Sequence, residues 1–282
     1  MATLEARNLV HRYPSGVRAV DGVTLLIGTE AVAIIGENGA GKTTLVKHFN
    51  GLLQPTSGEV LIECQFARAR SVAELARSVG LVFQNPNDQI FNASVRAEAA
   101  FGPRNLGFGR DRVQELVEEA LSLVGLSEKA DEHPYGLTLS ERKLLCIASV
   151  VAMDTPIVIL DEPTTGQDLR GVRQIAALVG HLRARGRAVI AITHDMDLVA
   201  KAFDRTVVMG RGRVVLDGPT RDVFGEPTVL RDCGVEPPPV TDLAQRIHLE
   251  ERPLSVDEFC AAYRRSRKIA PSGPVPVSTT GG

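Results

Sequence analysis

The sequence predicts an α/β fold, in which helices cover a mostly parallel sheet of short, buried strands. Two observations predict it: apolar runs typical of buried strands alternate with helical segments, and a glycine-rich loop joins one such strand to a helix. A third observation adds a subdomain, because the stretch 94–154 has helical periodicity and no convincing strand pattern. We therefore expect a parallel sheet whose chain path is interrupted by a helical insertion.

The composition is that of an ordinary globular protein. The 282 residues are 44% hydrophobic and carry a net charge of −2, so a full core can form and no overall positive field favours nucleic acid. Aromatic residues make up 4% of the chain, which leaves few rings on which bases could stack. We find no leader segment and no run near the ~18 apolar residues that a membrane span needs, so we expect a soluble chain. If it works at a membrane, it does so through other subunits.

The cysteines lie far apart and form no C-x-x-C pair; they are Cys64, Cys146, Cys233 and Cys260. This spacing indicates neither a zinc site nor a redox motif. We expect reduced and mostly buried thiols.

The first half of the chain reads as strands and helices in alternation. Residues 2–28 predict strand, turn and strand, with Tyr13 in the turn. A buried strand at 31–35 precedes the glycine-rich loop. The next predicted elements are a helix at 44–51, a strand at 58–63, a helix at 72–77, a strand at 79–83, and helices at 95–106, 113–124 and 139–153.

The strand pattern resumes after the helical stretch. Its predicted elements are a strand at 157–160, a helix at 169–185, a strand at 188–193 and a hairpin at 207–209 and 213–216. Beyond Gly218 the proline run 237–239 predicts a stiff extended break, and helices follow at 241–249 and 255–267. We divide the chain into an α/β core (1–93 and 156–218), a helical subdomain (94–155), a C-terminal extension that is a candidate dimerisation segment (219–268) and a disordered tail (269–282).

The loop Gly36-Glu37-Asn38-Gly39-Ala40-Gly41-Lys42-Thr43-Thr44 matches the phosphate-binding pattern G-x-x-x-x-G-K-[ST]. Its glycines let backbone N–H groups turn inward around phosphate oxygens at the start of a helix. We expect Lys42 to reach the β- and γ-phosphates and the Thr43 hydroxyl to ligate Mg²⁺. A purely structural glycine turn does not account for the lysine, the hydroxyl and the preceding strand together.

Three further strands end in polar side chains. Asp161 and Glu162 follow one apolar strand, His194 follows another, and Gln84 follows a third. Ligands gather at the carboxyl ends of strands in an open α/β sheet. One of these carboxylates can hold Mg²⁺ while its neighbour polarises the attacking water, and Pro163 ends the strand so that both can act.

The other two side chains have chemistry for the same reaction. His194 can hydrogen-bond a γ-phosphate or the attacking water, and the Gln84 amide can bridge Mg²⁺ and water. The alternatives remain open: a solvated strand boundary for the acids, a loop histidine for His194 and a half-buried core position for Tyr13.

Together these motifs resemble the nucleotide-binding subunit of ABC transporters over nearly the whole chain. The resemblance implies a P-loop NTPase fold with an N-terminal antiparallel β part and a helical subdomain, and it implies hydrolysis of ATP with Mg²⁺. The matching residues are Tyr13 as the adenine-stacking aromatic, Gly36 to Thr44 as Walker A, Gln84 as the Q-loop, Ile157 to Asp161 as Walker B, Glu162 as the catalytic carboxylate, Thr165-Gly166-Gln167-Asp168 as the D-loop and His194 as the switch histidine.

A narrower resemblance is to the ATPases of energy-coupling factor (ECF) transporters, which import vitamins and transition-metal ions such as cobalt or nickel. It rests on the segments 83–91 and 100–107, and on 218–224 and 236–241 in the extension. The implied partners are a second ATPase subunit, a transmembrane coupling subunit and a substrate-binding membrane subunit, and the implied location is the cytoplasmic face of the membrane. No nucleic-acid partner is expected.

One motif departs from the family pattern. Where the family has L-S-G-G-Q, this chain has Leu137 followed by Thr138, Leu139, Ser140 and Glu141. Leu139 adds bulk where backbone amides should approach the partner's γ-phosphate, and Glu141 adds a negative charge. Because this motif acts on the partner subunit's phosphate loop, we expect a heterodimer with one good and one impaired site. A homodimer that tolerates the variant is the alternative.

Two other functions stay open from the sequence. One is a regulatory half that binds nucleotide with little turnover, which the altered signature makes conceivable, although Glu162 and His194 are intact. The other is a soluble ABC ATPase outside transport, which usually carries tandem cassettes or basic arms that are not visible here. For the segment 85–107 we predict a coupling surface with Phe91 and Phe101, against the alternative that both rings are subdomain core.

Overall fold

The computed structural model describes residues 3–267. Within them the strands are β1 (Leu4–Arg12), β2 (Arg18–Ile27), β3 (Ala31–Ile35), β4 (Ser57–Ile62), β5 (Gln65–Phe66), β6 (Val79–Val82), β7 (Ile157–Asp161), β8 (Ala188–Ile192), β9 (Arg205–Gly210) and β10 (Arg213–Pro219). The helices are α1 (Lys42–Phe49), α2 (Val72–Leu75), α3 (Val95–Asn105), α4 (Arg110–Leu123), α5 (Leu139–Val151), α6 (Leu169–Ala184), α7 (Met196–Ala202), α8 (Thr220–Val223), α9 (Pro227–Asp232), α10 (Pro239–Arg246) and α11 (Val256–Ser266).

The central sheet has six strands in the order β10-β9-β3-β8-β7-β6. Neighbouring strands from β9 to β6 run parallel, and β10 pairs with β9 as an antiparallel edge strand. Every residue of β3, β7 and β8 is buried, because helices or a second sheet cover both faces. The predicted α/β class with a mostly parallel sheet is therefore confirmed.

A second sheet of four antiparallel strands, in the order β2-β1-β4-β5, packs on one face of the central sheet. The two faces of β3 alternate between two cores. Val32 and Ile34 pack with α1 and this second sheet, whereas Ala33 and Ile35 pack in the core that includes the helical stretch. The strand predicted at 58–63 belongs to this second sheet, because β4 pairs antiparallel with β1.

Between β6 and β7 the chain forms the predicted helices α3, α4 and α5. α4 begins at Arg110, three residues before the predicted start, because Gly109 can precede the helix in an extended conformation. Phe91 and Phe101 are 63% and 45% exposed, with their rings edge to face at 4.7 Å. The interpretation of these rings as subdomain core is therefore wrong.

The C-terminal extension differs most from expectation. α10 begins at Pro239, the last residue of the predicted extended break, because proline fits the first turn of a helix, where no N–H partner is needed. The short helices α7, α8 and α9 are absent from the sequence prediction. The tail predicted to be disordered, 269–282, lies outside the described residues, and the division of the chain at 93, 155 and 218 stays a prediction.

The thiols are less buried than expected. Cys146 and Cys233 are buried, whereas Cys64 and Cys260 are exposed, and all four are free. In the range 3–267, no helix combines the length and the apolar character that crossing a bilayer would take.

Candidate functional site

Four neighbouring strands of the central sheet end at the same edge. In the order β3-β8-β7-β6 they are followed by the glycine-rich loop, by His194, by Asp161 with Glu162, and by Gln84. The sheet thus brings together groups that are far apart in the sequence, such as Lys42 and His194, which are separated by 152 positions. The cleft at this edge has a volume of about 300 Å³, and its lining includes Asn38, Gly39, Gly41, Lys42, Thr43, Thr44, Gln84 and Glu162.

The glycine-rich loop has the backbone geometry of a phosphate cradle. Gly39 and Gly41 have φ values of 84° and 97°, which only glycine adopts at little cost. A Cβ added at Gly41 would overlap the carbonyl oxygen of Ala19, so glycine is required there for space as well. Glu37, Asn38 and Gly39 are exposed, whereas Gly36 and Ala40 are buried. α1 begins at Lys42, two residues before the predicted start, which places the helix N-terminus inside the loop.

Lys42 is folded back over this loop. Its Nζ donates hydrogen bonds to the carbonyl oxygens of Gly36, at 2.7 Å, and Glu37, at 2.9 Å, and lies 3.5 Å from His194 Nε2. Burial lowers the pKa of the Lys42 ammonium, while the charges of Glu162 and Asp161 oppose that shift. The ammonium is thus held at the place where phosphate oxygens would enter the loop.

Hard oxygen donors meet beside the loop. The Thr43 hydroxyl lies 3.5 Å from Asp161 Oδ1, and Gln84 lines the same cleft. Burial raises the pKa of the Asp161 carboxyl, and the Thr43 hydroxyl opposes the shift. A hydroxyl, a carboxylate and an amide oxygen are ligands that suit Mg²⁺ together with phosphate oxygens and water, so these residues fit the ion.

Glu162 sits in a strained conformation next to Asp161. Its φ is +49°, in the left-handed region that non-glycine residues seldom adopt, and its N–H donates to the Ile192 carbonyl at 2.9 Å. This turn directs the two adjacent carboxylates into one site although neighbours on a strand point to opposite faces. Burial raises the pKa of the Glu162 carboxyl, which suits a group that accepts a proton from water.

His194 completes this edge of the sheet. Its Nε2 lies 3.3 Å from Glu162 Oε1. Burial and the positive charge of Lys42 lower the pKa of the His194 imidazole, which favours the neutral form of the ring. A neutral imidazole beside the carboxylate can donate or accept one hydrogen bond according to its tautomer.

Tyr13 lies beside the loop and not in the lining of the cleft. It is half-buried, its hydroxyl is 3.1 Å from Thr44 Oγ1, and its ring packs edge to face on His11. His11 Nδ1 is in turn 3.0 Å from Nε2 of the buried His48. The cleft wall near Tyr13 is formed by Val17 and Ala19, which sequence reasoning missed. The stacking role of Tyr13 stays a prediction.

The altered signature begins α5 with a capping box. The Thr138 hydroxyl accepts from the Glu141 N–H at 3.2 Å, and the Glu141 carboxylate accepts from the Thr138 N–H at 2.9 Å. Lys129 Nζ also donates to Glu141 at 2.7 Å, so the charge expected to face a phosphate is largely engaged within the chain. The effect of Glu141 on a partner's phosphate stays a prediction, as does the obstruction by Leu139, whose side chain is 50% exposed.

The D-loop is tied to this signature. Gln167 and Ser140 exchange two hydrogen bonds, of 2.7 and 3.0 Å, and Asp168 caps α6 through the Gly171 N–H. Thr165 and Gly166 form the exposed turn before them. Thr138, Ser140, Glu141 and Asp168 line a cleft that shares no residue with the cleft at the phosphate loop.

A buried lysine in α5 also escaped sequence reasoning. Lys143 is 1% exposed, and burial lowers the pKa of its ammonium to about 8. It follows Glu141 by two positions and precedes the apolar run from Leu144 to Ala148. A lone lysine at the edge of such a run was the signal that could have revealed it.

The arrangement comprises a strand, a glycine loop that cradles a buried lysine at a helix start, and two carboxylates at the end of β7, two strands away in the sheet. It defines a P-loop nucleoside triphosphatase. The comparisons with known proteins narrow this class. The family model for the ABC transporter matches residues 24–165. An energy-coupling factor transporter ATP-binding protein, EcfA, of Methanoculleus marisnigri is 42% identical over 270 residues, which cover 95% of this chain and 96% of that protein.

Two further relatives agree. A protein named in the same way from Methanospirillum hungatei is 41% identical and covers 84% of this chain and 87% of its own length. The solved structure of cbiO1 from Clostridium perfringens, described as part of the ABC transporter complex cbiONQ, is 35% identical with a TM-score of 0.73; the match covers 86% of this chain and 96% of that one. The chain belongs to the ABC transporter ATP-binding family, as an ATPase of the energy-coupling factor type that binds nucleotide and couples ATP hydrolysis to transport.

Proposed function

We propose that this chain powers the import of a vitamin or a transition-metal ion as one half of a heterodimeric ATPase at the cytoplasmic face of the membrane. The observation that carries the proposal is the combination, in one chain, of a complete hydrolytic strand-end cluster and an altered signature. The names of its relatives support the energy-coupling factor type, in which a membrane subunit selects the substrate. The transported substrate class therefore follows from the family and not from this cleft.

The roles that we assign follow from the contacts in the cleft. The loop N–H groups and Lys42 bind the phosphates, and Thr43, Gln84 and Asp161 would hold Mg²⁺, which would neutralise phosphate charge. Glu162 accepts a proton from the attacking water, and His194 orients that water or the γ-phosphate from its position beside Glu162. For Tyr13, which lies beside the loop and outside the lining of the cleft, the adenine-stacking role rests on its match to the family pattern.

A second subunit is needed because the signature and the phosphate loop of one chain line separate clefts. We propose that a paralogue supplies a normal signature to this chain's phosphate loop. This chain's Leu139 then meets the partner's phosphate loop, where its exposed side chain keeps backbone amides away from the γ-phosphate. The result is one good and one impaired site.

Restoring the signature should therefore activate the partner's site. The test uses a heterodimer in which Glu162→Gln silences the site at this chain's phosphate loop, so that the residual ATPase rate comes from the partner's phosphate loop. In this background, Leu139→Gly combined with Glu141→Gln should raise the residual rate about 10-fold or more, since the loss of one transition-state donor costs ~10²–10³ in rate. Steady-state ATPase assays would measure this. Glu141→Gln alone is the control, because the Glu141 charge is engaged by Lys129. An unchanged residual rate in the double variant would contradict the obstruction by Leu139.

The surface that meets the membrane subunits is proposed to include Phe91 and Phe101. Both rings are exposed and in contact, and the loop that carries Phe91 is fixed by the buried Glu98, which accepts hydrogen bonds from the N–H groups of Phe91 and Asn92. A rigid, exposed aromatic pair is typical of an interface anchor. Gln84 lies seven residues before Phe91, so the docking of a membrane subunit at Phe91 can change the position of Gln84 at the proposed Mg²⁺ site.

Replacing Phe91 or Phe101 with Asp should abolish coupling. We expect substrate uptake to fall more than about 10-fold, because anchor residues contribute ~2 kcal/mol or more, while ATP binding is retained. Uptake into proteoliposomes and nucleotide binding would be measured on the same preparation. The matched control is Phe66→Asp, because Phe66 is an exposed phenylalanine on β5 of the antiparallel sheet. Uptake at the wild-type level in both variants would refute the placement of the surface.

Copurification from membranes tests the proposal as a whole. The tagged chain should retain a second, non-identical ATPase, a coupling subunit and a substrate-binding subunit, which mass spectrometry would identify. Recovery of a complex with only one kind of ATPase chain would contradict the heterodimer. Recovery of the chain without membrane subunits would contradict the transport role.

A further inference from the structure

Lys143 is a fully buried ammonium in the first turns of α5. Its side chain lies under the sheet edge that carries the hydrolytic cluster, and 1% of its surface is exposed. A buried charge is costly unless it is fully hydrogen-bonded, so a lysine in this position needs specific partners. The roles assigned above to Gln84, Asp161 and Glu162 do not use it.

The partners are three backbone carbonyl oxygens from two strand ends. Nζ donates to the carbonyls of Phe83 and Gln84, each at 2.8 Å, and to the carbonyl of Asp161, at 2.9 Å. Phe83 and Gln84 directly follow β6, and Asp161 ends the neighbouring strand β7. One nitrogen therefore uses its three donors to join the two segments that carry side chains at the edge of the cleft.

The bonds fix the backbone at the two residues whose side chains are the candidate metal ligands. A carbonyl held by an ammonium limits rotation of the peptide plane, and hence limits where the side chain of the same residue can point. Lys143 also stands one helical turn after Leu139, the first residue of α5. The same side chain thus links the signature helix to the strand ends.

We propose that Lys143 is a positioning residue that holds Gln84 and Asp161 at the spacing that Mg²⁺ binding with ATP requires. The proposal rests on the proposed function, since it takes these two residues as ligands of the ion. Lys143 contacts neither the ion nor the nucleotide; it acts through the backbone of the ligands. A residue that only stabilised the fold would leave the preference for MgATP over ATP unchanged.

The test compares two binding constants of the full-length chain. A fluorescent ATP analogue is titrated once with MgCl₂ and once with EDTA, and the ratio of the two affinities measures the contribution of the ion. In Lys143→Met, which keeps the length and removes the donors, we expect this ratio to fall about 10- to 100-fold, as for other residues that orient metal ligands. The affinity in EDTA should stay at the wild-type value, because the phosphate loop is untouched.

Ser149→Ala is the matched control. Ser149 lies in the same helix, is buried and accepts a hydrogen bond from Gln89, so its loss should lower Tm and leave the magnesium ratio unchanged. If Lys143→Met does not fold, Lys143→Gln is the variant to test. The glutamine amide retains donors for part of the network, so we expect a smaller fall in the ratio of the affinities with MgCl₂ and with EDTA.

Two outcomes separate this proposal from the function on which it rests. A wild-type magnesium ratio in the folded Lys143 variant would overturn the positioning role and leave the ligand assignment standing. A wild-type chain whose ATP affinity does not depend on magnesium would overturn the ligand assignment and the positioning role together.

Discussion

Replacing Glu162 with Gln in this chain should lower kcat of the assembled ATPase by about 10²- to 10⁴-fold, the usual contribution of a positioned general base. The carboxylate lies beside His194 and next to Asp161, and burial raises its pKa toward the range in which a base is effective at neutral pH. Glutamine keeps the size and removes the proton acceptor, so nucleotide should still bind. Steady-state hydrolysis and nucleotide affinity would be measured together.

The same change in the partner subunit should cost far less. In the proposed heterodimer, the partner's phosphate loop faces Leu139 of this chain. The site formed there is impaired and contributes little to the total ATPase rate. Glu128→Gln, an exposed carboxylate in the helical stretch, is the control for a change of charge and should leave kcat unchanged. Equal losses from the change in either subunit would argue for two equivalent sites and against the asymmetry.

Lys42→Ala should remove nucleotide binding itself. Each charge-assisted hydrogen bond contributes about 1.5–3 kcal/mol, so the loss of contacts to two phosphates should raise Kd for MgATP on the order of 10²- to 10⁴-fold. The ammonium is already gathered at the loop by the carbonyls of Gly36 and Glu37, so little ordering is needed when phosphate enters. Isothermal titration calorimetry would measure the change.

Lys201→Ala provides the control for removing a lysine. Lys201 is exposed on α7, so the Lys201→Ala variant should bind MgATP as the wild type does. A Lys42→Ala chain that binds MgATP normally, or a complex that keeps its ATPase rate with this change, would contradict the phosphate-binding role of the loop. That result would also remove the basis for every role assigned along the sheet edge.

Contiguous motifs were the part of the site that sequence reasoning could reach. The phosphate loop, the acid pair after β7 and His194 after β8 are each local patterns in which residue type and strand position coincide. The family, the fold class and the ATPase activity are confirmed. The separate roles of the site residues stay predictions, which the variants described above test.

Other features were beyond reach because their determinants are distant in the chain. The apolar pattern of β4 predicts a strand but not its partner, and the pairing with β1 that moves it to the second sheet spans about 50 residues. The helices α7, α8 and α9 have four to seven residues, too few for helical periodicity to be distinct. The ion pair between Glu141 and Lys129, twelve positions earlier, was likewise not predicted.

The sequence by itself determined which chemical groups this protein brings to a nucleotide, because glycine conformational freedom, a lysine and carboxylates at strand ends are properties of local segments. Only the tertiary structure decided how they meet. The chain order β3, β6, β7, β8 becomes the spatial order β3, β8, β7, β6, which sets Glu162 beside His194. It also brings Lys143 under Phe83 and Gln84, about 60 residues away, because the buried ammonium needs hydrogen-bond partners and finds them in the carbonyls of the strand ends.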